Sequence, residues 1–179
     1  GCIHGPMSVG WNAASSLVPF VGVFMFGAKL CYMLEPDIHL VGQMDVKRAT
    51  LGLRMVRDLD WPIDIVIFPT VREADGLALS SRNAFLSAED RIAALSISGG
   101  LGRALSVWRG GERSAEALAE LVREQMEVFP TVTPEYIAVV DPEQLSPVVT
   151  AYPRTVIAVA ARVGGTRLLD NVILAPEPD

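Results

Sequence analysis

Four adjacent residues, Ser80-Ser81-Arg82-Asn83, form the densest chemical cluster in the chain. Two hydroxyls beside a guanidinium suit the oxygens of a phosphate. Arginine offers a planar fork of N–H donors, and hydroxyls and backbone N–H groups add more. The same residue types also serve a plain solvated loop leading into a helix, because Ser and Asn readily bond nearby backbone. The tripeptide alone does not choose between these readings.

The elements around it narrow the choice. Ile63 to Phe68 is an apolar, β-branched run that predicts a buried strand, and Pro69 stops it. Asp75-Gly76 signals a turn. Ser87 with Asp90 three residues on resembles a capping box, so a helix is expected there. Upstream, Phe20 to Leu34 predicts a helix that ends before Glu35-Pro36. Ile38 to Val41 reads as a strand, Gly42-Gln43-Met44-Asp45 as a turn, and Val46 to Leu59 as a helix with Gly52, Met55, Val56 and Leu59 along one stripe. Strand, helix and strand with short links make a βαβ unit and a parallel sheet, whose ligands sit at the carboxyl ends of the strands. Gly42–Asp45 and 71–82 both follow such ends, so a ligand site is expected between them.

Downstream the pattern changes. Arg91 to Trp108 reads as a helix weakened by Gly99, Gly100 and Gly102, each costing about 1 kcal/mol relative to Ala. Gly110-Gly111 ends it. Ser114 caps a second helix, with Leu118, Leu121, Val122 and Met126 on one face. Tyr136–Val140, Thr155–Ala161 and Arg167–Leu174 follow as strands of a small antiparallel sheet. Residues 1–16 read as irregular, and Ala175–Asp179 as a disordered tail.

Composition bounds the function. The chain has 179 residues, is half hydrophobic and carries a net charge of −6. It is globular, and its acidity with no basic tract argues against a nucleic-acid partner. Two cysteines, Cys2 and Cys31, make no disulfide framework and favour a reducing cytoplasm. With His4 and His39 they lack the spacing of a zinc site, and no metal ligands are assigned. Leu17 to Leu34 is apolar enough to suggest a membrane span. Pro19, Gly22, Gly27 and Lys29 interrupt it, so a buried helix is expected instead.

The longer string Thr-Val-Arg-Glu-Ala-Asp-Gly-Leu-Ala-Leu-Ser-Ser-Arg-Asn, residues 70–83, with Leu86 after it, resembles the signature of the pantothenate synthetase (pantoate–β-alanine ligase) family. The resemblance extends through Gly42, Asp45 and Met55-Val56-Arg57-Asp58-Leu59. It resumes at Val159-Ala160-Ala161-Arg162-Val163-Gly164 and Thr166-Arg167-Leu168-Leu169-Asp170-Asn171, and covers residues 20–174. It implies an α/β fold: the C-terminal part of a Rossmann-like parallel-sheet nucleotide domain, residues 1–78, followed by a small α+β domain, residues 79–179. It also implies ATP-dependent joining of pantoate to β-alanine through a pantoyl adenylate, with Mg2+ bridging phosphates; a homodimer is one assembly open to the chain. Ser80, Ser81 and Arg82 would be catalytic and contact phosphates. Gly42, Asp45, Val71 and Leu79 would complete the ATP contacts.

The sequence also departs from the family. The family's amino-terminal half, with its first strand, its His-x-Gly-His-type motif and its pantoate-holding glutamines, has no counterpart in residues 1–19. Gly42-Gln43-Met44-Asp45 stands where the family has Gly-Glu-Lys-Asp, and Met44 cannot supply the lysine's charge. Arg48 takes the place of a pantoate-contacting glutamine, and Pro19 that of a histidine. Lys47 and Arg48 share a helix face with Met44: either could return a cation, or Arg48 could pair with the substrate carboxylate, and the plain alternative is two solvated surface charges. The alternative is a remnant or fragment that binds nucleotide or a partner without turnover. Its exposed sheet edge and uncovered helix 20–34 would then make it associate.

Overall fold

Helix α1 (Ala13–Leu34) ends just short of Pro36, as the proline requires. Strand β1 (Ile38–Gly42), helix α2 (Val46–Asp58) and strand β2 (Asp64–Phe68) follow, and the strands pair in parallel with Ile38 opposite Asp64 and Gly42 opposite Phe68. This is the expected βαβ unit. The computed structural model describes residues 13–176. The chain divides into two units, Gly1–Pro69 with Glu143–Ser146, and Thr70–Pro142 with Pro147–Asp179. His4, Cys2 and the last three tail residues lie outside the described part.

In the first unit α1 begins at Ala13, inside the stretch expected to be irregular. Its burial also differs from expectation. Among its described side chains only Phe24 and Cys31 are buried, one face of a helical stripe, while Met25, Phe26, Tyr32, Met33 and Leu34 are exposed. The run is apolar all round, but this chain covers one side of it. Among the described residues no helix is long and apolar enough to cross a membrane. Both strands alternate exposed and half-buried residues. His39, Val41 and Ile65 line a cavity with Phe24 and Cys31 of α1 and Met55 of α2. The opposite sheet face carries Ile38, Leu40, Val66 and Phe68, all exposed. Cys31 is a free thiol, its Sγ 3.8 Å from Nδ1 of His39.

The second unit holds the main core. Helix α3 (Ala88–Arg109) starts at Ser87, whose hydroxyl accepts the Asp90 N–H, and helix α4 (Ala115–Glu127) starts at Ser114, which accepts from Ala117. Both caps are those expected. Gly100 brings the two helices together: a Cβ there would lie 3.2 Å from the Val122 Cα and carbonyl oxygen. The glycines that weaken α3 in isolation thus include one that its packing requires. Strands β3 (Val132–Val140), β4 (Val156–Val163) and β5 (Thr166–Ile173) form an antiparallel sheet in the order β3-β4-β5. β3 starts four residues before the expected Tyr136, because Pro134 and the bulge beside it are tolerated on an edge strand. Ile97, Leu101, Leu118, Val122, Met126 and Ile157 are fully buried between helices and sheet.

Candidate functional site

The expected phosphate loop lies in the second unit and is more ordered than its composition suggests. Residues 71–79 form a tight hairpin. Arg72 bridges Ala78, the Leu79 N–H donates to the Val71 carbonyl at 2.9 Å, and the Glu73 N–H donates to the Leu77 carbonyl at 2.8 Å. Gly76 turns the hairpin with φ +94°, a conformation side chains resist, and Asp75 Oδ1 accepts the Leu77 N–H. Leu77 and Ala78 point inward and are buried, which leaves Val71 and Leu79 exposed.

Ser80 then caps a short 3-10 helix, Ser81–Phe85, a turn that sequence reading did not anticipate. The Ser80 hydroxyl accepts the Arg82 N–H at 3.3 Å, and the Ser80 carbonyl accepts the Asn83 N–H at 3.0 Å. Three arginines surround this segment with different partners. Arg72 forks onto both oxygens of Asp170, at 2.7 and 3.0 Å, and Asp170 is only 4% exposed. Arg91, from the first turn of α3, holds Glu73 and Asp75 at 2.6 and 2.7 Å. Arg82 is exposed and donates to the Arg167 carbonyl at 3.1 Å, pairing with no carboxylate among the described residues. Of the three cations, Arg82 is the one whose charge is left for an anion.

The acidic residues respond to this arrangement. The hydrogen bond from Asn83, then that from Arg91, lowers the Glu73 carboxyl below its ordinary range. The Leu77 N–H, then Arg91, lowers Asp75. Arg91 is raised in turn, first by Glu73 and then by Asp75.

Gly42, Asp45 and Arg48 lie in the first unit. Gly42 is exposed, and a Cβ there would meet nothing within 4 Å, so packing does not demand glycine. Asp45 caps α2 by accepting the Arg48 N–H at 3.2 Å, and its second oxygen meets the Arg48 guanidinium, also at 3.2 Å. The helix-cap role is therefore filled, and the Arg48 charge is shared with Asp45. Burial lowers the Lys47 pKa, partly offset by Asp45. The Gln43 N–H bonds the Phe68 carbonyl at 2.8 Å, so the turn after β1 sits beside the carboxyl end of β2. A hollow of about 520 Å³ in this unit opens at the opposite, amino end of the strands, lined by Tyr32, Asp37, Trp61 and Ile63. Parallel sheets bind ligands at the other end.

Residues 4–173 match the model of the pantoate–β-alanine ligase family. The chain belongs to that family. The match begins sixteen residues earlier than the resemblance read from the sequence, in a part where residue types alone carried no motif. Pantothenate synthetase from Moorella thermoacetica is 41% identical over 155 residues, 87% of this chain and 55% of that protein. The crystal structure of pantothenate synthetase from Thermus thermophilus superposes with a TM-score of 0.89 at 35% identity, covering 96% of this chain and 62% of that one. A pantoate–β-alanine ligase structure from Francisella tularensis, complexed with β-γ ATP and β-alanine, shares the fold at TM-score 0.66 and 22% identity. The chain thus spans little more than half the length of the pantothenate synthetases it matches, 55% of the Moorella thermoacetica protein and 60% of the Heliobacterium modesticaldum one. Its fold is that of pantoate–β-alanine ligases: a parallel-sheet βαβ unit, then helices on an antiparallel sheet.

Sequence reasoning assigned no role to Glu73 or Arg91, and it placed Asn83 in the polar cluster without finding its partner. They meet only once the hairpin brings Glu73 back to Asn83, ten residues on, and to Arg91 in the first turn of α3, eighteen residues on. No local spacing announces that contact.

Proposed function

We propose that the second unit carries the nucleotide-phosphate part of a pantoate–β-alanine ligase, with Ser80, Ser81 and Arg82 contacting ATP phosphates. The observation that carries this reading is Arg82: an exposed guanidinium on an ordered turn, beside two arginines already committed to carboxylates. The reaction is a two-step ligation. A pantoate carboxylate oxygen attacks the α-phosphorus and pyrophosphate leaves. The β-alanine amine then attacks the acyl carbon, AMP leaves with the bonding pair, and a proton is released from nitrogen. Arg82 and the Ser hydroxyls would stabilise charge that grows on the phosphate oxygens, a preorganised electrostatic role. Val71 and Leu79 would offer apolar contact to the adenosine. Gly42 and Asp45 would join the ATP contacts through the family resemblance alone; Arg48, which departs from the family's glutamine and pairs with Asp45, is a candidate for the pantoate carboxylate only as a compensation for that departure.

Mg2+ would enter with the nucleotide. Among the described residues no three His, Cys, Asp or Glu groups converge as a metal site, and Glu73 and Asp75 are engaged by Arg91. A magnesium ion held by phosphate oxygens needs few protein ligands. Met44, where the family has lysine, favours a second reading, a nucleotide-binding module without turnover.

Calorimetry with Mg·ATP on this chain and on Arg82→Ala tests the site. We expect the variant to weaken binding by about 1.5–3 kcal/mol. Equal affinity in both proteins, or none in either, would overturn the phosphate assignment. Binding without pantothenate formation would select the second reading.

A further inference from the structure

One carboxylate links the hairpin, the 3-10 turn and helix α3. Glu73 Oε2 accepts from Arg91 Nη2 at 2.6 Å, while Glu73 Oε1 accepts from Asn83 Nδ2, also at 2.6 Å. Asn83 is 8% exposed, and the same Nδ2 donates to the Ala78 carbonyl at 3.0 Å. Both amide donors of Asn83 are therefore spent tying the hairpin to the turn. Arg91 adds a second contact, Nε to Asp75 at 3.0 Å, which clamps the hairpin tip. Its own helix is rigid: the Arg91 N–H bonds the Ser87 carbonyl, and Ala94, Ile97 and Leu101 of α3 are buried in the core. Asn83 is peptide-bonded to Arg82, so whatever holds Asn83 sets where the Arg82 backbone sits.

We propose that Glu73, bridging Arg91 and Asn83, is a positioning residue that fixes the Ser80–Arg82 turn and with it the reach of Arg82. Glu73 touches no substrate in this scheme; it acts through Asn83. The inference rests on the phosphate reading of that turn for its consequence, but the bracing itself does not. An ion pair that served only to close the surface would stabilise the unit without any special relation to Arg82. Bracing instead couples Glu73 to Arg82, and coupling between residues in one hydrogen-bonded network is what a double-mutant cycle measures.

The test uses Glu73→Gln, which leaves Asn83 an amide oxygen but cuts that side chain's charged anchor to Arg91 and α3, and Arg91→Lys, which keeps the charge and loses the fork. Amide hydrogen exchange at Arg82 and Asn83 should speed up about tenfold in Glu73→Gln, with β4 amides unchanged. Mg·ATP binding should weaken about tenfold in Glu73→Gln, yet the same substitution in an Arg82→Ala background should change nothing further. Arg91→Lys should fall between parent and Glu73→Gln on both readouts. Unchanged exchange at Arg82 and Asn83 would overturn the brace. Equal affinity losses with and without Arg82 would also overturn it, because the network would then act on something else. If the parent binds no Mg·ATP, the phosphate reading fails, and the exchange experiment alone still decides the brace.

Discussion

The two sheets of this protein are finished to different degrees. β4 buries every residue except Arg162, with β3 and β5 on its flanks and α3 and α4 on the sheet. In β1 and β2 no residue is fully buried. Their inner residues face the α1–α2 cavity, while Ile38, Leu40, Val66 and Phe68 meet solvent. Parallel sheets are ordinarily covered on both faces, and an isolated pair of strands is marginal in water. An antiparallel sheet can close its core with helices on one side, so the second unit completes its core from its own helices and strands. The parallel pair needs more cover than α1 and α2 give it. The described first unit therefore owes less of its stability to burial and presents more apolar surface for association.

The largest expected effect tests that contrast directly. Leu118→Ala should cost about 2–5 kcal/mol in urea unfolding, since Leu118 is fully buried. Phe26→Lys, at a position 64% exposed, should cost no more than about 0.5 kcal/mol. The parent should associate at roughly tens of micromolar in light scattering, and Phe26→Lys should reduce its apparent mass. A monomeric parent would break the comparison.

Glycines give a smaller and sharper test. Gly100→Ala should destabilise by about 1–3 kcal/mol, because its Cβ would press on Val122 backbone that cannot swing away. Gly102→Ala in the same helix and Gly22→Ala in α1 meet nothing within 4 Å and should stabilise by up to about 1 kcal/mol. Thermal melts of the three variants would show whether close helix packing is confined to the second unit.

The smallest effect is acidic. Glu73 and Asp75 have lowered carboxyl pKa values in the fold, so their contribution is present above the ordinary carboxylate range. It fades as pH falls from about 4 through those lower values. Carboxyl NMR titration should place both midpoints below ordinary values, and Arg91→Ala should raise both. Midpoints unmoved by that substitution would remove Arg91 from the brace.

Much of the fold was legible because local signals and tertiary structure agree. Ser87 and Ser114 cap the helices they were expected to cap, Pro36 ends α1, and strand–helix–strand spacing gave the parallel pair. The burial of α1 was not legible. An apolar run says that water is a poor solvent for it, not which neighbour covers it. Gly100 misled in the opposite sense, since its helix cost was visible and its packing reason was not.

For the candidate site, sequence alone determined the chemistry on offer: two hydroxyls and a guanidinium after a strand, in a string close enough to one family to name it. Residue type and order carry that information without a fold. Only the tertiary structure decided which charges are spent. It pairs Arg72 with Asp170 across ninety-eight residues, holds Arg91 on Glu73 and Asp75, and leaves Arg82 on a neutral carbonyl. A charge's availability depends on what lies within a few ångströms of it. That distance is set by the hairpin, the 3-10 turn and the sheet together, not by any one of them in sequence.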